Sequence, residues 1–222
     1  MKTPLLFFIS LIVVASAACL QAAKGPFLAN GIKIGEVDQH SAIVWIRLTR
    51  DATYNLKGEA WSLKAESVPE GKSLSDMEYS AVGAAGEARV SYWPKAKASD
   101  KVVLDWVAVD PRRNFTTAVQ LEGLSPWTEY DLKVETRAPG TSKPANEIRG
   151  KLKTAPLAKK AEAVSFAVVT CQDFPRRDDL VNGHRVYPSI LQSVDPDFMV
   201  HAGDIEYYDK PGPYAKTEAL AH

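Results

Sequence analysis

The sequence predicts two successive architectures, a β-sandwich followed by an α/β unit, and three observations lead there. Between Gly31 and Lys153, short runs of β-branched and aromatic residues are punctuated by turn residues. From Val164 onward the pattern changes to near-continuous apolar runs, "VSFAVVT" and "DFMV", with a helical segment between them. The second run ends in "HAGDIEYYD", which places a histidine, two aspartates, a glutamate and two tyrosines directly after a strand. A hydrophobic core has no use for so many oxygen donors.

The amino-terminal segment stands apart from both. Residues 1–23 carry one lysine, an apolar run from Leu5 to about Ala18, and then small residues, which is the pattern of a secretory signal peptide. The run is short for a membrane span and no later segment is apolar enough to be one, so a periplasmic or secreted protein is expected. Ser16-Ala17-Ala18-Cys19 also admits a lipoprotein reading in which Cys19 carries the lipid. Acidic and basic residues balance at 27 each among 222 residues, so no net field favours nucleic acid or an anionic membrane as a partner. The chain holds only Cys19 and Cys171. Cys171 is therefore an inert buried thiol, half of an intermolecular bridge, or a metal ligand.

In chain order, "IKIGEV", "AIVWIRL", "KVVLDWVAV", "FTTAVQL" and "TEYDLKVET" read as strands. In the last, Tyr130, Leu132 and Val134 share one face, while Glu129, Asp131, Lys133 and Glu135 share the other. That period of two marks a strand buried on one side. Likewise Ala42, Val44, Ile46 and Leu48 alternate with Ile43, Trp45 and Arg47, and Trp45 is expected to cover a rim. The stretch from Ser62 to Ala98, with scattered Gly, Pro and Lys, reads as long loops or an insertion. About seven strands in roughly 120 residues suit a sandwich of immunoglobulin or fibronectin type III character. "LEGLSPWTEYDLKV" resembles the fibronectin segment in which a Gly-Leu-x-Pro turn leads into a tyrosine-bearing strand. The expected division is a sandwich at 24–154, a linker at 155–163 and the α/β unit at 164–222. Asn114-Phe115-Thr116 has the form of a glycosylation acceptor, relevant only in a eukaryotic secretory pathway.

The linker "APLAKKAEA" lacks apolar periodicity. After the run ending at Thr170 comes a helical candidate, with Pro188 suited to a first helical position and Ile190, Leu191 and Val194 on one face. Strand, helix and strand in about 40 residues make a βαβ unit with parallel strands and a right-handed crossover. Ligands of open α/β sheets bind outside the carboxyl ends of the strands. Cys171, Gln172 and Asp173 follow the first strand there, and His201, Gly203, Asp204 and Tyr207 follow the second. Neighbouring strands would bring a thiol, a carboxylate and a phenol together, a crowding of anions that calls for a cation.

A family resemblance rests on these residues. "GDIEY", Gly203 to Tyr207, resembles the Gly-Asp-x-x-Tyr block of calcineurin-like metallophosphoesterases, in the form shared by purple acid phosphatases. "VVTCQDF" with "FMVHAGDIEYYD" is similar to the PhoD-like alkaline phosphatases, where a Cys-Gln motif replaces the usual Asp-x-His. "GIKIGEVDQHSAIVWIRL" resembles the domain that precedes the phosphatase domain in that family. The resemblance implies that Asp204 bridges two metal ions and that Tyr207 and Cys171 bind a ferric ion, with calcium as the partner metal. The implied reaction is metal-assisted hydrolysis of phosphomonoesters or phosphodiesters.

Around this set, Asp173 reads as a ligand, an outlying carboxylate or a cap. His201 and Gln172 are expected to hydrogen-bond to the ligands rather than bind metal, and Tyr208 and Asp209 to form a wall and a turn. "RRDDLVNGHRVYP" is either a solvated loop or one that turns Arg176, Arg177 or His184 toward the phosphate. His184 and Arg177 are thus the candidates for catalytic contacts. The family's later blocks, an Asn-His or Asp-His pair and further histidines, are not found before His222. The expectation is the opening portion of a phosphatase domain, inactive by itself. Two competing readings are a secreted fibronectin-like binding or adhesion module with a vestigial phosphatase tail, and a different metallohydrolase such as a nuclease.

Overall fold

The computed structural model describes residues 25–60, 68–172, 177–179 and 181–205. Its strands in chain order are β1 (Ile32–Gly35), β2 (Ala42–Arg47), β3 (Glu87–Pro94), β4 (Val102–Val103), β5 (Val107–Ala108), β6 (Thr116–Leu121), β7 (Glu129–Arg137), β8 (Asn146–Lys153), β9 (Phe166–Val169) and β10 (Phe198–His201), with one helix, α1 (Val186–Ser193), before the last. An antiparallel sheet in the order β1-β2-β6 packs on a larger one in the order β4-β3-β7-β8, with β5 also paired to β3. Among the described residues no helix is long and apolar enough to cross a membrane.

The alternation in β2 and β7 places the core as the sequence predicts. Ala42, Val44, Ile46 and Leu48 are fully buried, and they meet Val90, Leu132, Val134 and Tyr130 from the opposite sheet in one cluster. Burying each such aliphatic side chain stabilises the fold by about 1.5–3 kcal/mol before entropy is counted. The turn ahead of β7 is tied down by its tyrosine: Gly123 takes φ 68°, Leu124 is buried, and the Ser125 N–H donates to Tyr130 Oη at 2.8 Å.

Three expectations for this half are corrected. The stretch from Ser62 to Ala98 is not all loop, because Glu87–Pro94 is β3, which pairs with β4, β5 and β7. Its Ala88, Val90 and Tyr92 face the core, and Pro94 is tolerated as the terminal residue. "KVVLDWVAV" is not one strand. Ser91 pairs with Val103 and Ala88 with Val107, so three residues, Leu104 to Trp106, oppose two on β3. That bulge turns Trp106 outward, where Arg89 and Arg137 place their guanidinium carbons 4.5 and 4.2 Å from its ring centroid. Arg89 and Arg137 are in turn paired across the strands with Glu135 and Glu87, at 2.8 and 2.6 Å. Trp45 lies mid-sheet opposite Lys33 and Ala118, not on a rim, with the Lys33 ammonium 5.3 Å from its ring centroid.

β9 and β10 are parallel and in register, Phe166 opposite Phe198 and Val169 opposite His201. The expectation that both strands are covered on both faces does not hold among the described residues. Phe166, Val168, Phe198 and Val200 remain 55%, 59%, 49% and 40% exposed. Two strands and one eight-residue helix supply too little surface to enclose them. The Phe166 and Phe198 rings stack on each other, 5.3 Å apart and nearly coplanar in tilt at 3°. The helix starts two residues before Pro188, which still falls in the first turn, where no N–H is required.

Candidate functional site

The register of β9 and β10 carries past their ends. The Ala202 N–H donates to Val169 O at 2.7 Å, Cys171 N–H to Gly203 O at 3.2 Å and Gln172 N–H to Asp204 O at 2.9 Å. The Thr170 hydroxyl donates to the same Gly203 carbonyl at 3.1 Å. Three residues adopt positive φ: Cys171 at 61°, Asp204 at 52° and Gly203 at 117°. Only glycine takes the last of these readily, and a non-glycine residue in the left-handed region costs on the order of 1–2 kcal/mol. This local strain sits where two chain segments turn together, a placement typical of functional positions.

The turns bring two predicted residues into contact. Cys171 Sγ donates to Asp204 Oδ2 at 3.4 Å, and Thr170 Oγ1 lies 3.5 Å from the sulfur. Both Cys171 and Asp204 are exposed, so the pair faces outward from the sheet edge. A sulfur and a carboxylate at this separation are two donors that suit one metal ion. Among the described residues no group of three His, Cys, Asp or Glu is close enough to hold one. Tyr207, Asp173, Arg176, Tyr208 and Asp209 lie outside the described residues.

The neighbouring residues take more varied positions. Gln172 turns its side chain to α1, where Oε1 accepts a hydrogen bond from the Tyr187 hydroxyl at 2.7 Å. Burial pushes the Tyr187 phenol above its usual pKa. Tyr187 was not among the residues the motifs single out, and its signal is positional: it enters the first helical turn fifteen residues after Gln172. The His184 ring packs edge-on against Tyr187, with centroids 6.3 Å apart. Among the described residues, His184 Nε2 and both ring nitrogens of His201 are buried without a hydrogen-bond partner. Orphaned imidazole nitrogens are groups that a ligand or ion would satisfy.

The polar loop divides into formers of turns and one residue drawn elsewhere. Asp179 Oδ1 accepts from the N–H groups of Asn182 and Val181 at 2.8 and 2.9 Å. Those bonds, Asn182's first, hold its carboxyl below the usual range. Asp178 Oδ2 accepts from Arg185 N–H at 2.9 Å. Arg177 places its guanidinium over the ring of Tyr79, 3.9 Å from the centroid. Tyr79 belongs to the segment between β2 and β3, so this contact draws Arg177 toward the sandwich.

No protein-family model matches the chain, and no curated protein matches it. Among solved structures, one of PhoD is similar over 86% of this chain at 18% identity and a TM-score of 0.55. A two-domain fibronectin type III segment of chicken tenascin aligns with 59% of this chain and 51% of its own, at 19% identity and a TM-score of 0.33. The fibronectin type III domain of human contactin 1 aligns with 67% of this chain and 96% of its own, at 12% identity and a TM-score of 0.29. This chain spans 31% of the PhoD structure's length. What the likeness establishes is therefore a fold: most of this chain is arranged as the corresponding third of PhoD is arranged.

Proposed function

We propose that this chain carries the first metal-binding edge of an exported, PhoD-like metal-dependent phosphatase acting on phosphomonoesters or phosphodiesters. The supporting observation is the 3.4 Å approach of Cys171 Sγ to Asp204 Oδ2 at the carboxyl edge of two adjacent parallel strands, where α/β sheets hold ligands. In this reading Cys171, Asp204 and Tyr207 would hold a ferric ion, Asp204 would also serve a neighbouring calcium, and Asp173 would be a further candidate donor. Carboxylate and phenolate oxygens suit hard cations, and thiolate adds electron donation. Such ions, when bound, polarise phosphoryl oxygens and supply hydroxide near neutral pH.

The chain's own residues have separable tasks in that scheme. Gln172, anchored by Tyr187, fixes the turn that carries Cys171. Neither ring nitrogen of His201 hydrogen-bonds to the carboxylate and Arg177 is held over Tyr79, which leaves His184 as the candidate for contact with the phosphate ester. Because the chain spans 31% of the PhoD structure's length, turnover is assigned to a complete phosphatase domain, and little is expected of residues 24–222 alone. The test is metal analysis of the full chain after loading with iron and calcium, beside Cys171→Ala and Asp204→Asn. The expected result is bound iron with a visible ligand-to-metal band that is shifted or weakened in Cys171→Ala. Equal iron content and an unchanged spectrum in both variants would overturn the assignment.

A second reading has an observation of its own. No described residue after Thr154 is buried, so the packed interior belongs to the sandwich, as in a secreted fibronectin-like binding module with a phosphatase-like tail. That reading predicts that removing residues 157–222 leaves binding intact.

A further inference from the structure

We infer that Asp197 is a positioning residue, through which the sandwich sets the separation of Cys171 and Asp204 at the far end of β9 and β10. The inference rests on the phosphatase reading only for what the pair does. The geometry it concerns stands apart from any metal.

Asp197 immediately precedes β10, and Ser165 immediately precedes β9. The two are joined three times: Asp197 N–H donates to Ser165 O at 2.9 Å, and Asp197 Oδ2 accepts from Ser165 N–H at 3.0 Å and from Ser165 Oγ at 3.4 Å. The other carboxylate oxygen accepts from Lys153 Nζ at 2.8 Å, and both side chains are about one-fifth exposed, 22% and 20%. Lys153 ends β8, the last strand of the sandwich, and its ammonium sits 3.5 Å from the ring centroid of Trp127. One carboxylate thus closes the amino end of the parallel pair and ties it to the sandwich. Hydrogen bonds from Lys153 and Ser165 hold the Asp197 carboxyl below its usual pKa. The nearby Lys151–Asp195 pair is 2.9 Å long but two-thirds exposed on both sides, 69% and 66%, so screening leaves it little influence.

Why this end governs the other follows from strand geometry. β9 and β10 have only four residues each and, among the described residues, no third strand beside them and a largely bare apolar face. Register in such a pair is weakly specified by burial, and a one-residue slip would turn every side chain to the opposite face. Under a slip Cys171 would no longer stand against Gly203 and Asp204. The Asp197 latch is what selects the observed register.

The test uses the full chain with Cys19→Ser and Asp204→Cys, in which the close approach becomes a disulfide whose formation rate reports the separation. In that background Asp197→Ala is expected to slow cross-linking about tenfold, the scale of losing hydrogen bonds to a charged group. Asp197→Asn keeps an acceptor for Ser165 and should recover part of the rate, while Asp195→Ala should leave it unchanged. Tryptophan emission confirms in each case that the sandwich remains folded. An unchanged rate in Asp197→Ala, an equal loss in Asp195→Ala, or no cross-link in the parent would overturn the inference. Should the rates behave as expected while the unsubstituted chain binds neither iron nor calcium, the latch stands and the phosphatase reading fails.

Discussion

Replacing Leu132 and Val168 separately with alanine distinguishes where this chain keeps its stability. Leu132 is fully buried, lies between Tyr92 on β3 and Gly150 on β8, and its Cδ1 is 3.3 Å from where a Cβ on Gly150 would stand. Of its two cross-strand partners, Gly150 has no side chain to move into the space and Tyr92 is held by a hydrogen bond to Glu122 O, so the site cannot collapse far. A loss of about 2–5 kcal/mol is expected for Leu132→Ala, which is of the order of 10 °C in Tm for a domain of this size. Val168 is 59% exposed, so truncating it should cost about 0.5 kcal/mol or less. All five tryptophans, at 45, 61, 93, 106 and 127, precede β9, and their emission during urea unfolding reports the sandwich. Hydrogen exchange of the β9 and β10 amides reports the remainder. A Val168→Ala loss as large as that of Leu132→Ala would refute the reasoning, because it would mean that β9 is covered in solution.

Three further outcomes are expected. Tyr130→Phe removes the acceptor for the Ser125 N–H and should destabilise the sandwich by about 1–3 kcal/mol in urea unfolding. Tyr187→Phe releases Gln172 at a cost of about 0.5–1.5 kcal/mol, and faster hydrogen exchange at the Gln172 amide should reveal it. Asp197 has a depressed pKa, caused first by Lys153 and then by the Ser165 N–H. Its stabilising effect is therefore complete above the unfolded value of about 3.9 and lost as pH falls through the lower folded one. Protection of the β9–β10 amides should decline in that acid window, and Asp197→Asn should flatten the decline.

What could be read from the sequence followed from regular periods. Tyr130, Leu132 and Val134, and Ala42 through Leu48, alternate because one face of each strand is buried, so their placement was legible. β3 has the same alternation in Ala88, Val90 and Tyr92, but the Gly- and Lys-rich residues around it obscured the run. The bulge at Leu104–Trp106 depends on how many residues its partner strand offers, which no local pattern encodes. The approach of Cys171 to Asp204 was legible because parallel strands send their carboxyl ends to one edge. The positive φ of both residues was not, since neither is glycine. Tyr187 remained hidden because its contact with Gln172 depends on α1 starting at Val186 rather than at Pro188.

The bulge in β4–β5 also bears on self-association. Along that margin an incoming chain would meet two short paired stretches separated by an indole wedged between guanidinium groups, and the β8 margin presents Glu147, Arg149, Lys151 and Lys153. Both borders of the large sheet therefore discourage templated growth. The small parallel pair carries no comparable guard among the described residues, so any clumping of this chain at high concentration should begin there.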